Sequence, residues 1–152
     1  MKTILLIIGA VIAVGAAIWQ GMPCANFSEG VVSTSSHAIR VALQITQEEQ
    51  GRGLAGCTYI PKNSGMYFVF DDTAERIFWM KGMVIPIDII WIADGRVVGI
   101  HKQVQPEPLE TADTYLAQYT SPQPVDAVLE VAAGVAEAYG IQEGGELSLD
   151  RR

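Results

Sequence analysis

The sequence predicts a mainly β domain with two short helices, a compact antiparallel sandwich or barrel preceded by an N-terminal transmembrane or signal helix. Three observations predict it. About seven short runs alternate apolar and polar residues or are rich in β-branched and aromatic types, the pattern of strands. Asp94-Gly95 between two such runs is a two-residue hairpin signal. No βαβ spacing and no Gly-x-Gly-x-x-Gly run is present, which disfavours a doubly wound sheet.

The first residues form a separate unit. Ile4 to Trp19 carries no charge and follows Met1-Lys2-Thr3; extended to Met22, it approaches the ~20 residues that cross a hydrocarbon core. An uncleaved anchor over residues 1–22 is the first reading. A cleaved signal peptide, with Gly15 and Ala17 before the cut, is the alternative. Lipidation at Cys24 is a third, although Gly21-Met22-Pro23 matches that signal poorly. Lys2 is the only basic residue before Arg40, so the positive-inside rule leaves the N-terminus in the cytoplasm. The remainder is then expected outside the inner membrane, or secreted if the segment is cleaved. The membrane is thus the one partner the sequence indicates.

Composition bounds the rest. A chain of 152 residues, 49% hydrophobic and 18% charged, is long enough for one domain with a real core. A net charge of −7, with no basic stripe, repels nucleic acid. Cys24 and Cys57 lack the spacing of a zinc site. In an oxidising compartment they allow one disulfide; two unrelated thiols, with Cys57 buried, is the competing reading. No cofactor is implied.

Residues 23–36 are small and polar and read as a tether with room for a short leading strand, placing the β domain at 37–152. Ile39, Val41, Leu43 and Ile45 alternate as a strand. Thr46 and Glu49 form a capping box that starts a short helix to Gly53. Met66 to Phe70, Arg76 to Met80, Ile87 to Ala93, Arg96 to Ile100, Val125 to Val131 and Glu146 to Leu149 read as strands. Ala132 to Tyr139 is a second helix, stopped by Gly140. Between Gln103 and Pro124 lie four prolines and no sustained period, a long loop of the kind that often carries function.

The segment from Arg76 to Ile92 is the candidate site. It embeds Lys81 and Asp88 among Phe78, Trp79, Met80, Ile85, Ile87, Ile89 and Trp91. A charge in such company is costly unless paired, hydrogen-bonded or set in a wet cleft. A pocket would use Trp79 and Met80 as an apolar surface and Lys81 as a cationic contact. Asp88 would orient the ligand, with Tyr119, Ser121 and Pro122 alongside. The structural alternative pairs Lys81 with Asp88 across a hairpin. His101 is a candidate base with Asp88, and Ser121 or Thr120 a candidate nucleophile, but no Gly-x-Ser-x-Gly turn surrounds Ser121. Glu107, Glu110 and Asp113 lack the spacing of a calcium loop and read as solvated charge.

Several of these runs resemble a known family, the bacterial and archaeal domain-of-unknown-function family 192. They are Arg52-Gly53-Leu54, Gly65 to Phe70, Phe78-Trp79-Met80-Lys81 with Ile85-Pro86-Ile87-Asp88-Ile89-Ile90, Gln105-Pro106, Tyr119 to Pro122, Val128-Leu129-Glu130-Val131 and Gly140-Ile141. The resemblance covers about Val41 to Leu149 and implies one small β-rich domain, often secreted or tethered, with no established activity. Members usually continue Trp-Met-Lys with Asn-Thr; here Gly82-Met83 removes two polar side chains beside Lys81. Cys57 and Gln103 stand where a basic residue and an Asn are common.

Three functions fit these residues. The first is an extracytoplasmic module that binds a small molecule or glycan. The second is an envelope hydrolase using Asp88 and His101, and the third a protein-interaction module of the envelope.

Overall fold

The computed structural model describes residues 25–152. The expected anchor or signal helix of residues 1–22 and Cys24 lie outside the described residues. Among the described residues no helix is long and apolar enough to cross a membrane.

The described residues form nine strands and two short α-helices in the order β1 (Gly30–Ser33), β2 (Ala38–Gln44), α1 (Gln47–Arg52), β3 (Ser64–Ala74), β4 (Ile77–Trp79), β5 (Ile87–Ala93), β6 (Arg96–Val104), β7 (Gln118–Thr120), β8 (Val125–Ala132), α2 (Val135–Ala138) and β9 (Ser148–Arg151). Seven of them make one sheet in the order β6-β5-β8-β3-β2-β1-β9, and β4 and β7 form a separate two-stranded ribbon.

Two expectations are corrected here. The sheet is neither a sandwich nor a closed barrel: it is open and mixed, because β2 pairs with β3 in parallel. A parallel neighbour needs a crossover, and the segment 45–63, which contains α1, supplies it. The helix is only six residues long, so the spacing of a βαβ unit did not show in the sequence. The stretch read as a tether with room for a short leading strand, residues 23–36, does supply such a strand, β1, but as an integral member of the sheet between β2 and β9. Phe27 before it is buried in the core, so the folded domain begins ahead of His37.

The local signals hold where their chemistry is local. Thr46 Oγ1 accepts the Glu49 N–H while the Glu49 carboxylate accepts the Thr46 N–H at 2.9 Å, the reciprocal capping box. Those hydrogen bonds hold the Glu49 carboxyl below its usual range. Asp94 and Gly95 both take positive φ, 48° and 71°, and turn β5 into β6.

Each face of the sheet covers its own core. Alternation sends Met66, Phe68, Ile87, Ile89, Trp91 and Val128 to one side, under Phe27, the 53–60 segment and the β4–β7 ribbon. Tyr67, Ile90, Ile92, Leu129 and Val131 go to the other, with α2 and the β1–β2 hairpin. The sheet curls: Val97, at the start of one edge strand, exchanges backbone hydrogen bonds with Gly144 and Gly145, which lead into the other edge strand. Gly65 has no room for a side chain against β8, since a Cβ there would lie 2.6 Å from the Glu130 carbonyl oxygen.

Candidate functional site

The stretch from Arg76 to Ile92 is not one hairpin. Its first half, β4, leaves the main sheet and pairs with β7, Phe78 opposite Tyr119. Its second half, β5, is fully paired between β6 and β8. The ribbon lies over the first core through edge-to-face rings running Phe68, Phe78, Trp91, His101 and Tyr119, with centroids 5.0 to 5.8 Å apart.

This division separates the expected site residues. Trp79 is 46% exposed on the outer edge of β4, and Met80 is buried beneath it. Lys81 lies in the turn that follows, where Nζ meets Asp113 Oδ2 at 2.6 Å and sits 5.4 Å from the Trp79 ring centre. Asp88 is fully buried on the opposite face of the main sheet, in register with Val131. Lys81 and Asp88 therefore neither pair nor share a hollow. One Asp88 oxygen accepts the Gln103 N–H at 2.8 Å and the other the Ala136 N–H at 2.9 Å. The first is an amide displaced from the ladder by the bulge in β6, where Gln103 has φ 51°. The second is a first-turn amide of α2, which has no intrahelical acceptor. Asp88 thus ties a bulge to a helix.

The remaining expected residues are structural neighbours of the ribbon. Ser121 is buried, and its Oγ accepts the Arg76 N–H at 3.0 Å while its own N–H donates to the Arg76 carbonyl. Pro122 is exposed and packs over Gly99. Tyr119 faces inward against His101. His101 lies within β6 rather than beyond its end. Its Nδ1 accepts from the Trp91 indole at 2.8 Å, so the ring is the neutral Nε2–H form. Burial lowers its pKa, consistent with that form. Asp88 and His101 lie on opposite faces of the sheet, because His101 is in register with Ile89, so the expected acid and base do not meet.

In the acidic loop, Glu107 accepts the Ala117 N–H at 2.9 Å and Asp113 is engaged by Lys81. Among the described residues no group of three side chains is placed to hold a metal ion. Cys57 is buried in the first core and is not a free thiol; its expected partner, Cys24, lies outside the described residues.

What the structure does assemble is a cleft of about 250 Å³ at the edge of the ribbon. The end of α1 and its following turn, from Gln50 to Ala55, form one wall; β4, Lys81 and Met83 form the other. Phe68 and Glu130 line it from the sheet. Glu130 is the residue that sequence reasoning missed. Strand β8 places it between Met66 of β3 and Ile89 of β5, on the face that carries the first core. It is only 6% exposed, and among the described residues no hydrogen bond reaches its carboxyl group, whose oxygens border the cleft rather than being sealed from it. Burial raises its pKa to about 8, so it is protonated at neutral pH. The signal is present in the sequence: Glu130 sits between Leu129 and Val131 in an apolar strand, the same pattern that marks Asp88.

A larger groove of about 670 Å³ runs between the 33–35 turn, the 94–97 hairpin and residues 140–148. Its walls are mainly turns; of its three charges, Arg96 and Glu146 pair with one another and Asp94 is exposed. It holds no buried unpaired acid, so the smaller cleft is the stronger candidate.

Fold and cleft define an open, curled β domain with a two-stranded ribbon over one face and a buried acid at the ribbon's edge. The chain belongs to the DUF192 family, described as Uncharacterized ACR, whose profile matches residues 30–149. Two crystal structures are similar to it. One, a protein of unknown function from Novosphingobium aromaticivorans DSM 12444, has a TM-score of 0.70 at 28% identity, with 85% of this chain and 94% of that one covered. The other, from Sinorhizobium meliloti 1021 and described as a "putative transcription regulator", has a TM-score of 0.69 at 28% identity, with coverage of 78% and 90%. No curated protein matches the chain.

Proposed function

We propose that this protein is a membrane-tethered, extracytoplasmic module that binds a small molecule or glycan fragment in the cleft between α1 and β4. The observation that carries the reading is Glu130, a buried carboxyl group facing that cleft with no hydrogen-bond partner among the described residues. Taking a carboxyl group largely out of water without giving it a partner costs free energy, and here it raises the pKa. A ligand that satisfies it gives that cost a use. Trp79 and Phe78 offer apolar and stacking surface, and Arg52 and Lys81 set charge at the mouth. The acidic balance of the chain speaks against nucleic acid as the ligand, whatever the description of the Sinorhizobium protein.

A fragment screen by NMR on the full chain tests the cleft. Fragments are expected to shift the amide signals of Gly53, Ala55 and Phe78. Trp79→Ala should weaken them tenfold or more while Tm falls by only a few degrees, because nearly half of that side chain is already in water. Equal binding to the variant, or shifts confined to the 140–148 groove, removes the proposal.

The location rests on the apolar segment after Lys2. Protease added outside intact spheroplasts should digest the 25–152 domain; complete protection there would place it in the cytoplasm instead.

A further inference from the structure

Resting on that cleft, we propose that its ligand carries a compact organic cation, an alkylammonium or guanidinium group, which seats on Glu130 beside the rings of Phe68, Phe78 and Trp79. Met66, Phe68 and Ile89 on the flanking strands bring the Glu130 carboxyl group no charge and no donor. Two cations face the cleft, Arg52 from α1 and Lys81 from the turn after β4, and each is already accompanied by an acid. Lys81 is paired with Asp113, and Arg52 lies within the field of Glu49, one turn before it on α1. Neither offsets the burial of Glu130, whose pKa is raised by desolvation alone.

An aromatic wall beside a carboxyl group is a recognition pattern for cations, since ring faces and an anion both attract positive charge. The side chains that line the cleft from the sheet, Phe68 and Glu130, offer an anionic ligand no donor except the acid's own proton. It would also meet a chain of net charge −7, which draws cations toward it instead.

Binding then exchanges one positive charge for another. The ligand's cation pairs with the ionised carboxylate, and the proton held by Glu130 leaves to solvent. At pH 7, below the value of about 8, close to one proton is released per ligand bound.

The test uses the full chain in non-ionic detergent and three isosteric probes: n-propylammonium, propionate and propionamide. The expected result is that n-propylammonium shifts the cleft amide signals, with affinity rising about tenfold per pH unit from pH 6 to 7 and levelling above pH 8. Propionate should leave those signals in place. Glu130→Gln should lose the ammonium response. Should that variant fail to fold, calorimetry of the unaltered chain in buffers of different ionisation enthalpy reads the released proton directly.

Tighter binding of propionate or propionamide, ammonium binding without pH dependence, or no proton release overturns the inference. If propionamide alone binds the cleft, the binding function stands and only the cation falls. If none of the three perturbs it, both fall together.

Discussion

Replacing Glu130 with Gln is expected to stabilise the domain at pH 9 by on the order of 5 kcal/mol, while changing stability at pH 4 by less than about 1 kcal/mol. The sign follows from proton binding. Burial raises the native pKa to about 8 from an ordinary value of 4.5, so between those values the native state holds a proton that the unfolded state has lost. Stability contributed by the protonated group is fully present below pH 4.5. It declines by about 1.4 kcal/mol per pH unit as pH rises and is lost once pH passes about 8. Gln has the same shape, stays neutral and feels none of this. Urea denaturation of both proteins from pH 4 to 9 measures it. Parallel pH profiles for the two would mean that the carboxyl group is hydrated and ionised, and the cleft would lose its defining residue.

Asp88→Ala is expected to do the opposite, lowering stability by about 2–4 kcal/mol, because one buried N–H, that of Ala136, and one partly buried N–H, that of Gln103, lose their acceptor at about 1–3 kcal/mol each, the second toward the low end. Asp88→Asn should recover roughly half, since its amide offers one carbonyl oxygen where the carboxyl group offers two acceptors. Hydrogen exchange locates the damage: the Gln103 and Ala136 amides should lose protection first, being the two that Asp88 holds. For a domain whose whole stability is about 5–15 kcal/mol, this variant approaches unfolding. A loss under about 1 kcal/mol in Asp88→Ala would show that water replaces the carboxyl group and that the bulge and α2 stand without it.

The two acids are alike in sequence, each a single carboxylate in an apolar strand, and opposite in consequence. Asp88 is supplied with donors by its surroundings, and Glu130 is not. Nothing at the level of composition or alternation distinguishes them. The donors come from Gln103 and Ala136, 15 and 48 residues further along the chain, brought together by the bulge in β6 and the return of β8.

The departures from the family pattern also become intelligible in the backbone. Gly82 has φ 68°, a left-handed conformation that Gly and Asn share more readily than other residues, so the usual Asn and the Gly found here serve the same turn. Met83, where Thr is usual, is buried in the first core and also lines the cleft, so this chain presents a thioether there instead of a hydroxyl. Gln103 keeps positive φ without the ease that Asn would have, and Asp88 holds its amide in place.

What the sequence by itself determined was whatever is decided within a few residues. The Thr46–Glu49 cap, the Asp94-Gly95 turn, the extent of β5 and the family were all legible, because caps, two-residue turns and alternation depend on neighbouring side chains. Only the tertiary structure decided which strands pair. It set β2 parallel to β3, took β4 out of the sheet to meet β7, and gave Lys81 to Asp113 rather than Asp88. It also decided where an uncompensated charge would be left, at Glu130. The physical reason is that a strand's hydrogen bonds and a buried charge's donors come from distant segments, and a local pattern fixes the need for them without fixing which segment supplies them.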